Sequence, residues 1–455
     1  MSALDLADIQ GIVLFGYGSL PHARYVHVSF EAEGSDPTTW LAELRHEVHG
    51  AARGKRRHVD RINVAFTHRG LARFALAEGE LASFPRELQQ GMNDKLRAHV
   101  LGDIEENHPE TWQFGGPHQP TIHALVLLYA LTNEAADALR DRLVARITAL
   151  GGAVVHEDSG ELRDPLHEPF GFRDGIVQPR VAGTPRTKSN SAIEDEVPAG
   201  EFVLGYPNAY DELPPSPCGA DGFDIGKNGS YLVYRKLRQD TSGFWQCMLD
   251  RALPCGDARA ATKLASAIVG RWPSGAPLVK YPDFDPGGGT AKEDFGFFHL
   301  DPDGTKCPLG AHIRRANPRD MLGPTPEDSR EAVLRHRLLR RGRPYGPQAT
   351  GTPAERARSD GAERGLLFLA LNTSFRRQFE FVQQTWLNNP KFANLDERDP
   401  LVSGVIEEGG QRYTVPGLPA RRRVTGLPRF VTVRGGAYFF VPGLRALDWL
   451  SSRAR

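Results

Sequence analysis

The stretch HALVLLYALTNEAADALRDRLVARITALGGAVVH, residues 123–156, decides the fold class. It begins with HALVLLYA, which is almost entirely apolar and predicts a buried strand. Residues 132–150 carry apolar side chains at helical spacing, and the Gly-Gly pair that follows predicts the end of that helix. A short apolar run comes next and predicts another strand. The stretch therefore predicts one strand–helix–strand unit.

The same order of signals occurs earlier in the chain. Residues 25–30 (YVHVSF) place apolar side chains at every second position, as a half-buried strand does. Asp36 as N-cap and Pro37 in the first turn predict a helix start, and residues 61–66 (RINVAF) predict a strand. Two such units predict a ferredoxin-like α+β domain with an antiparallel sheet and helices at its periphery. A parallel doubly wound sheet is the alternative.

The second half of the chain again mixes strands and helices. A segment rich in proline, glycine and charge, residues 183–226, places a domain boundary near its start. We therefore expect an N-terminal domain over 1–182 and a C-terminal domain over 183–455. In the C-terminal domain, residues 365–371 (GLLFLAL) predict a buried strand, and residues 430–441 (FVTVRGGAYFFV) predict a hairpin turned by the Gly-Gly pair.

Composition excludes several classes of partner. The 455 residues include 56 Lys and Arg and 56 Asp and Glu, so the formal net charge is zero. This balance argues against a nucleic-acid or anionic-membrane partner, which would favour a basic excess. We find no apolar run long enough to span a bilayer. The start of the sequence lacks a signal-peptide pattern and a twin-arginine pair, and the four cysteines form no CxxC, which together predict a cytoplasmic protein.

Asp174 lies in the first segment that could carry chemistry, HEPFGFRDGIVQP, residues 167–179. Gly171 and Gly175 permit unusual backbone angles, and the phenylalanines around them supply apolar bulk. A carboxylate that such a turn presents to an apolar pocket suits acid–base chemistry. The alternative is an Asx turn, in which the aspartate only caps its own backbone.

His312 lies in the second segment, CPLGAHIRRANPRD, residues 307–320. Nearby arginines disfavour an imidazolium ion, and an iron ligand must be a neutral imidazole. The arginines could also pair with a dianionic partner, and the two propionates of haem are one such partner. The alternative is an arginine-rich loop that contains an incidental histidine.

Arg340 lies in the third segment, LLRRGRPYG, residues 338–346. One guanidinium turned inward would stabilise an anion that develops during a reaction. The alternative is a surface loop. The neighbouring Arg341 competes for the same role, and we choose Arg340 by its distance from the Pro-Tyr-Gly turn.

Together, the three segments resemble the dye-decolorizing peroxidases, a family of haem peroxidases. Residues 171–175 (GFRDG) match the family marker Gly-x-x-Asp-Gly. Residues 312–319 (HIRRANPR) read like the segment of its proximal histidine, and Arg340 precedes a Pro-Tyr-Gly turn as the distal arginine of the family does. The order Asp, His, Arg also matches. The likeness extends from about residue 8 to the C-terminal 430–441 segment.

The resemblance implies two ferredoxin-like domains, with one b-type haem per chain in the C-terminal domain. It implies that His312 is the axial ligand of the haem iron, with Asp174 and Arg340 on the opposite, distal face. Asp174 would move a proton between the two peroxide oxygens, and Arg340 would stabilise the developing negative charge. The expected partners are hydrogen peroxide and small-molecule reductants such as dyes and phenols.

The resemblance also implies contacts between the protein and haem. Arg319 is the first candidate for a propionate partner and Arg314 is the second. Leu366 and Phe368 would help to line the distal pocket.

Three further residues are predicted around this site. Tyr345 and Trp386 stand at positions that resemble surface electron-relay sites, although ordinary packing would also explain Trp386. Glu380 is our candidate for the hydrogen-bond partner of the axial histidine, because an iron-bound imidazole usually donates its other N–H to a carboxylate or carbonyl.

Two other function classes remain open on the sequence alone. One is a haem carrier or storage protein, which binds the porphyrin without turnover and needs no distal acid–base pair. The other is an α+β protein without haem whose resemblance is only structural. The sequence leaves a homo-oligomer open.

Overall fold

The computed structural model describes residues 3–52, 59–163, 166–184, 196–287, 289, 293–417 and 420–453. Its strands are β1 (His22–Ser29), β2 (Asp60–Phe66), β3 (Ala124–Ala130), β4 (Ala153–Glu161), β5 (Arg180–Val181), β6 (Glu196–Val197), β7 (Ser230–Gln239), β8 (Leu339–Arg340), β9 (Arg343–Tyr345), β10 (Gly365–Asn372), β11 (Gln411–Val415), β12 (Arg422–Leu427) and β13 (Val431–Val441). Its α-helices are α1 (Gly11–Leu14), α2 (Pro37–Arg45), α3 (His68–Leu71), α4 (Glu78–Ala82), α5 (Arg86–Gln90), α6 (Lys95–Leu101), α7 (Asn133–Ala149), α8 (Thr241–Arg251), α9 (Ala258–Val269), α10 (His312–Ala316), α11 (Pro326–Leu334), α12 (Pro353–Arg356) and α13 (Leu444–Ser451). Two π-helical segments follow β10, at Arg376–Glu380 and Val382–Leu387.

A nine-stranded sheet organises the molecule, with the order β4-β1-β3-β2-β13-β7-β10-β8 and with β9 paired to β10. Every pairing within it is antiparallel, so the parallel doubly wound alternative is wrong. The N-terminal and C-terminal strands meet where β13 pairs with β2, at Phe440 and Phe66. The protein is therefore an α+β fold with an antiparallel sheet.

The N-terminal strands and helices form where the sequence predicted them. The Asp36 carboxylate accepts a hydrogen bond from the Thr39 N–H at 2.9 Å and caps α2. Thr132 caps α7 in the same way through the Ala135 N–H at 3.2 Å. Both helices pack their apolar faces onto one side of β1, β2 and β3, in a core that includes Trp40. Both predicted strand–helix–strand units are thus confirmed.

The C-terminal part of the sheet is built around β7, which pairs with β13 on one side and β10 on the other. The buried strand predicted at 365–371 is confirmed as β10. The hairpin predicted at 430–441 is wrong, because residues 431–441 form the single strand β13 with an irregularity between Val433 and Gly435. A Cβ at Gly435 would collide with the ring of Phe114, so this glycine allows a close approach rather than a turn.

Among the described residues, no helix combines the length and the apolar character that crossing a bilayer requires.

Candidate active site

A cavity of about 290 Å³ lies beside the C-terminal part of the sheet. Side chains of β7 alternate across the sheet, so Arg235, Leu237 and Gln239 reach the cavity while Tyr234 and Lys236 contact Asp158 on the other face. Six residues predicted from the sequence line this cavity: Asp174, His312, Arg319, Arg340, Leu366 and Phe368.

Asp174 is held at the cavity by a loop in which Gly171 and Gly175 have φ angles of +96° and +72°. The Asp174 N–H donates to the Leu166 carbonyl at 3.1 Å, which fixes the loop behind the side chain. Asp174 Oδ1 accepts a hydrogen bond from the Gly175 N–H at 2.6 Å, so the carboxylate also caps its own turn. The side chain is 34% exposed and lines the cavity.

Arg340 reaches the cavity from β8, at the edge of the sheet. Its Nη2 lies 3.6 Å from Asp174 Oδ1 and donates to the Val177 carbonyl at 3.2 Å. Its backbone N–H donates to Gln178 Oε1 at 3.0 Å, so the strand and the Asp174 loop hold each other in place. The Arg340 guanidinium and the Asp174 carboxylate therefore border the same part of the cavity.

The neighbouring Arg341 points to the other side of the strand, as alternation requires. Its guanidinium donates to the carbonyls of Ile12 at 3.1 Å and Val13 at 3.3 Å. Burial lowers the pKa of Arg341 to about 10. The structure thus brings Arg340, and not Arg341, to the cavity.

His312 begins the short helix α10 and also lines the cavity. Its Nδ1 lies 2.9 Å from Oδ2 of Asp399, whose side chain is fully buried. The other carboxylate oxygen of Asp399 accepts hydrogen bonds from the N–H groups of Leu401 at 2.9 Å and Val402 at 2.8 Å. Burial acts to raise the pKa of Asp399, but the imidazole, the Val402 N–H and the Arg315 cation hold it below its ordinary value.

The prediction that Glu380 partners the axial histidine is wrong. Its carboxylate accepts hydrogen bonds from Arg97 at 2.6 Å and from the Tyr438 hydroxyl at 2.9 Å. These two partners hold it in a different buried cluster, and Asp399 takes the expected place beside His312. Asp399 is 87 residues from His312 in a polar stretch, DERDP, so no local spacing connects the two.

The two arginines predicted as propionate partners have different environments. Arg319 lines the cavity, donates to the Phe295 carbonyl at 3.0 Å and pairs with Glu293. Arg314 is fully buried away from the cavity lining, with Nη1 2.8 Å from Asp301 Oδ2 and Nη2 2.7 Å from the Asp301 carbonyl. The prediction for Arg314 is therefore wrong, because its guanidinium is committed to this buried ion pair.

Sequence reasoning missed other charged residues of the cavity, among them Arg271 and Glu168. Arg271 pairs with Glu293, and burial lowers the pKa of Arg271 to about 10. Burial raises the pKa of Glu168 to about 7. No sequence motif marks Arg271, which follows a buried helix. Glu168, in contrast, stands six residues before Asp174, in a segment that the sequence analysis had already singled out.

Tyr345 and Trp386 lie outside the cavity lining. Tyr345 is half-buried on β9, and its hydroxyl donates to Glu363 Oε1 at 3.3 Å. Trp386 is only 5% exposed and packs edge-on against His336 and Phe381. Trp386 is thus a core residue, as its apolar helical stripe also suggested, and it does not meet the requirement of a surface relay.

No protein-family model matches the sequence. A dye-decolorizing peroxidase of Mycena epipterygia is 30% identical over 99% of this chain and 88% of its own length. The multifunctional dye peroxidase DyP2 of Amycolatopsis sp. is 33% identical over 74% of this chain and 73% of its own. The chain belongs to the dye-decolorizing peroxidase family. A solved structure of a dye-decolorizing peroxidase with 2,6-dimethoxyphenol is similar in fold, with a TM-score of 0.80, 27% identity, and 99% of this chain and 100% of that one covered.

This dye-decolorizing peroxidase has residues at its cavity that fit the haem which the family implies. Asp399 accepts the Nδ1–H of His312, which leaves the lone pair of Nε2 available to a metal. Leu366 and Phe368 give the cavity an apolar wall against which a porphyrin could pack. Arg319 adds a cation that could pair with a haem propionate.

Proposed function

We propose that this peroxidase reduces hydrogen peroxide and oxidises dyes, phenols or similar one-electron donors, with one b-type haem per chain in the cavity. The observation that carries the proposal is that one cavity is lined by His312, which Asp399 holds from behind, and by the pair of Asp174 and Arg340. The 2,6-dimethoxyphenol bound to a relative of similar fold supports a phenolic reductant. A carrier would have no use for the pair of Asp174 and Arg340.

When bound, haem supplies the iron that reacts with peroxide and the oxidising equivalents that the reductants consume. His312 would hold the iron through Nε2, while Asp399 fixes the ring orientation and keeps Nδ1 protonated. Asp174 would accept a proton from one oxygen of peroxide and return it to the other, which prepares that oxygen to leave as water. Arg340 would stabilise the negative charge that develops on the leaving oxygen.

We assign the haem surroundings by the same argument. Arg319 would pair with a propionate, and the ion pair with Glu293 would then have to adjust. Leu366 and Phe368 alternate along β10 toward the cavity, so they would cover the distal face of the ring. Tyr345, which is partly exposed, would pass electrons from bulky donors that cannot enter the cavity.

We also propose that the two halves, 1–182 and 183–455, are ferredoxin-like domains. The order β4-β1-β3-β2 supports this for the first half, with α2 and α7 as its connecting helices. The order β13-β7-β10-β8 supports it for the second half, because its strands follow the same 4-1-3-2 pattern.

The test is an absorption spectrum of the haem-reconstituted protein before and after one equivalent of hydrogen peroxide, followed by a reducing dye. We expect peroxide to convert the resting spectrum and the dye to restore it while the dye bleaches. A spectrum that shows bound haem but does not respond to peroxide would favour the carrier and would remove the assigned roles of Asp174 and Arg340.

A further inference from the structure

Glu168 is a titratable residue of the cavity that the reaction just described does not use. It stands at the start of the loop that carries Asp174, and it belongs to the cavity lining. Its Oε2 accepts a hydrogen bond from the Phe170 N–H at 2.9 Å, and its Oε1 accepts one from the Phe172 N–H at 2.9 Å. Phe172 lies two residues before Asp174, so these bonds act close to the catalytic carboxylate.

The backbone closes the same loop. The Glu168 N–H donates to the Phe172 carbonyl at 2.9 Å, and the Gly171 N–H donates to the Glu168 carbonyl at 2.8 Å. Residues 168–172 thus form a closed ring of hydrogen bonds, in which the Phe170 and Phe172 N–H groups converge on the Glu168 carboxylate. The Phe170 and Phe172 side chains are each 3% exposed, so the N–H groups that point at Glu168 would lose their acceptor in a protected site if the carboxylate were removed.

A third hydrogen bond ties this ring to the sheet. Gln239, the last residue of β7, donates from Nε2 to Glu168 Oε2 at 2.7 Å. The Gln239 N–H in turn donates to the Arg364 carbonyl at 2.8 Å, so the glutamine is itself fixed by the backbone. Glu168 therefore connects the Asp174 loop to the strand that forms the floor of the cavity.

Side chains of the C-terminal half hold the carbonyl groups of the same loop. Trp245 Nε1 donates to the Phe170 carbonyl at 2.9 Å, and Arg356 Nη1 donates to it at 3.3 Å. Thr241 Oγ1 donates to the Pro169 carbonyl at 3.3 Å. Side chains of the C-terminal half thus donate to the carbonyl groups of the loop, whereas Glu168 accepts hydrogen bonds from the loop N–H groups nearest to Asp174.

We infer that Glu168 is a positioning residue that fixes Asp174 in its place opposite the Arg340 guanidinium. The inference rests on the proposed role of Asp174 in the reaction with peroxide. A proton transfer needs its partners within hydrogen-bond reach, and a misplacement of about 1 Å can slow a reaction roughly 100-fold. Glu168 holds the loop N–H groups nearest to Asp174, so it controls such a displacement.

The position of Glu168 also gives the loop a pH dependence. Burial raises the pKa of Glu168 from 4.5 to about 7, and the negative charge of Asp174 adds to this rise. Arg356 of α12 is the cation that faces it, while β7 and α8 present the neutral Gln239, Thr241 and Trp245. Because opening the loop would return Glu168 to water, the closed loop is favoured when Glu168 is protonated, and this advantage is lost as pH rises through about 7.

The experiment compares Glu168→Ala and Glu168→Gln with the wild-type chain in two measurements. The first is hydrogen exchange of the amides in residues 168–176 across pH 5–9, corrected for intrinsic exchange. The second is the stopped-flow rate of the haem-reconstituted enzyme with peroxide. Glu201→Gln is the matched control, because Glu201 is a buried carboxylate that accepts a hydrogen bond from the Ala209 N–H at 2.9 Å outside the cavity lining.

For Glu168→Ala we expect loop exchange roughly tenfold faster and a peroxide rate lower by roughly 10-fold to 100-fold. Glu168→Gln keeps one acceptor oxygen and carries no charge, so we expect a peroxide rate between those of the wild type and Glu168→Ala, and loss of the exchange step near pH 7. An exchange step near pH 7 that persists in Glu168→Gln, or faster exchange in Glu168→Ala without any change in peroxide rate, would overturn the inference. If Glu168→Ala does not fold, Glu168→Gln decides alone. A normal peroxide rate in Asp174→Ala would instead contradict the proposed function, while the exchange data would still report on Glu168.

Discussion

His312 and Asp399 meet more closely than Asp174 and Arg340 do, although both pairs border the same cavity. The nitrogen and oxygen of the first pair are 2.9 Å apart, and the Asp399 carboxylate is fully buried with two backbone donors on its second oxygen. The second pair is separated by 3.6 Å, with side chains that are 36% and 34% exposed. In the first pair the carboxylate is buried and hydrogen-bonded on both oxygens, whereas in the second pair both side chains are partly exposed.

The difference corresponds to two chemical tasks. A metal ligand has to keep one orientation throughout a reaction, and a buried carboxylate that is itself hydrogen-bonded provides that. A proton-transferring group has to receive a small molecule, so a direct and closed ion pair between Asp174 and Arg340 would occupy the space that peroxide needs. Because Asp174 and Arg340 are both partly exposed at the cavity and do not make a close ion pair, each can direct a polar atom toward a third molecule bound beside them.

The largest effect is expected for His312→Ala. Removing the imidazole removes the nitrogen, Nε2, that the hydrogen bond to Asp399 leaves available to the iron, so we expect the variant to lose haem or to lose the spectrum of a histidine-ligated ferric haem. A haem titration followed by absorption measures this. His118→Ala, at an exposed position, is the control. A wild-type spectrum in His312→Ala would mean that another residue binds the iron.

Asp174→Ala should leave haem binding intact and slow the reaction with peroxide. Positioned acid–base groups contribute about 100-fold to 10,000-fold in rate, and this range is our expectation for the loss. Stopped-flow mixing with peroxide measures it. A rate equal to that of the wild type would exclude Asp174 from the proton transfer.

Arg340→Leu tests whether Asp174 and Arg340 act as one unit. Loss of a group that stabilises a developing anion costs about 100-fold to 1,000-fold. If Asp174 and Arg340 act on the same oxygen atoms, the double variant should be slower than either single variant by less than the product of their effects. If the rate losses of the two single variants multiply fully in the double variant, Asp174 and Arg340 have independent roles and do not act as one unit.

Asp399→Asn tests the pair of His312 and Asp399. Loss of a hydrogen-bond partner behind a metal ligand typically lowers metal affinity or activity about 10-fold to 100-fold, and we expect that reduction in haem affinity. Glu380→Gln is the matched control, because Glu380 is also a buried carboxylate but bonds to Arg97 and Tyr438. Equal loss of haem affinity in the two variants would indicate general destabilisation instead of a role behind His312.

The sequence predicted residues whose roles are encoded locally. Asp174, His312 and Arg340 each lie in a short segment of unusual composition, and the structure brings all three to one cavity. The N-cap Asp36 was predicted for the same reason, because an N-cap acts on backbone groups only a few residues away.

The failed predictions concern contacts between distant segments. Asp399 meets His312 only through the fold, and Glu380 was chosen by residue type without any information on its neighbours. Gly435 was interpreted as a turn because a Gly-Gly pair is a strong local turn signal. Its actual role is to admit the ring of Phe114, which lies more than 300 residues earlier in the chain.

The smallest effect is expected at the surface. Tyr345→Phe removes the hydroxyl that donates to Glu363, and with it the route for the phenolic proton on oxidation. If Tyr345 passes electrons from bulky donors, this variant should oxidise a large dye several-fold more slowly while a small phenol and the reaction with peroxide are unaffected. Trp386→Phe provides the contrast, because a core residue that is 5% exposed should change the melting temperature before it changes dye selectivity. Equal slowing of both donors in Tyr345→Phe would argue against a relay, since a defect in the cavity would affect small and large donors alike.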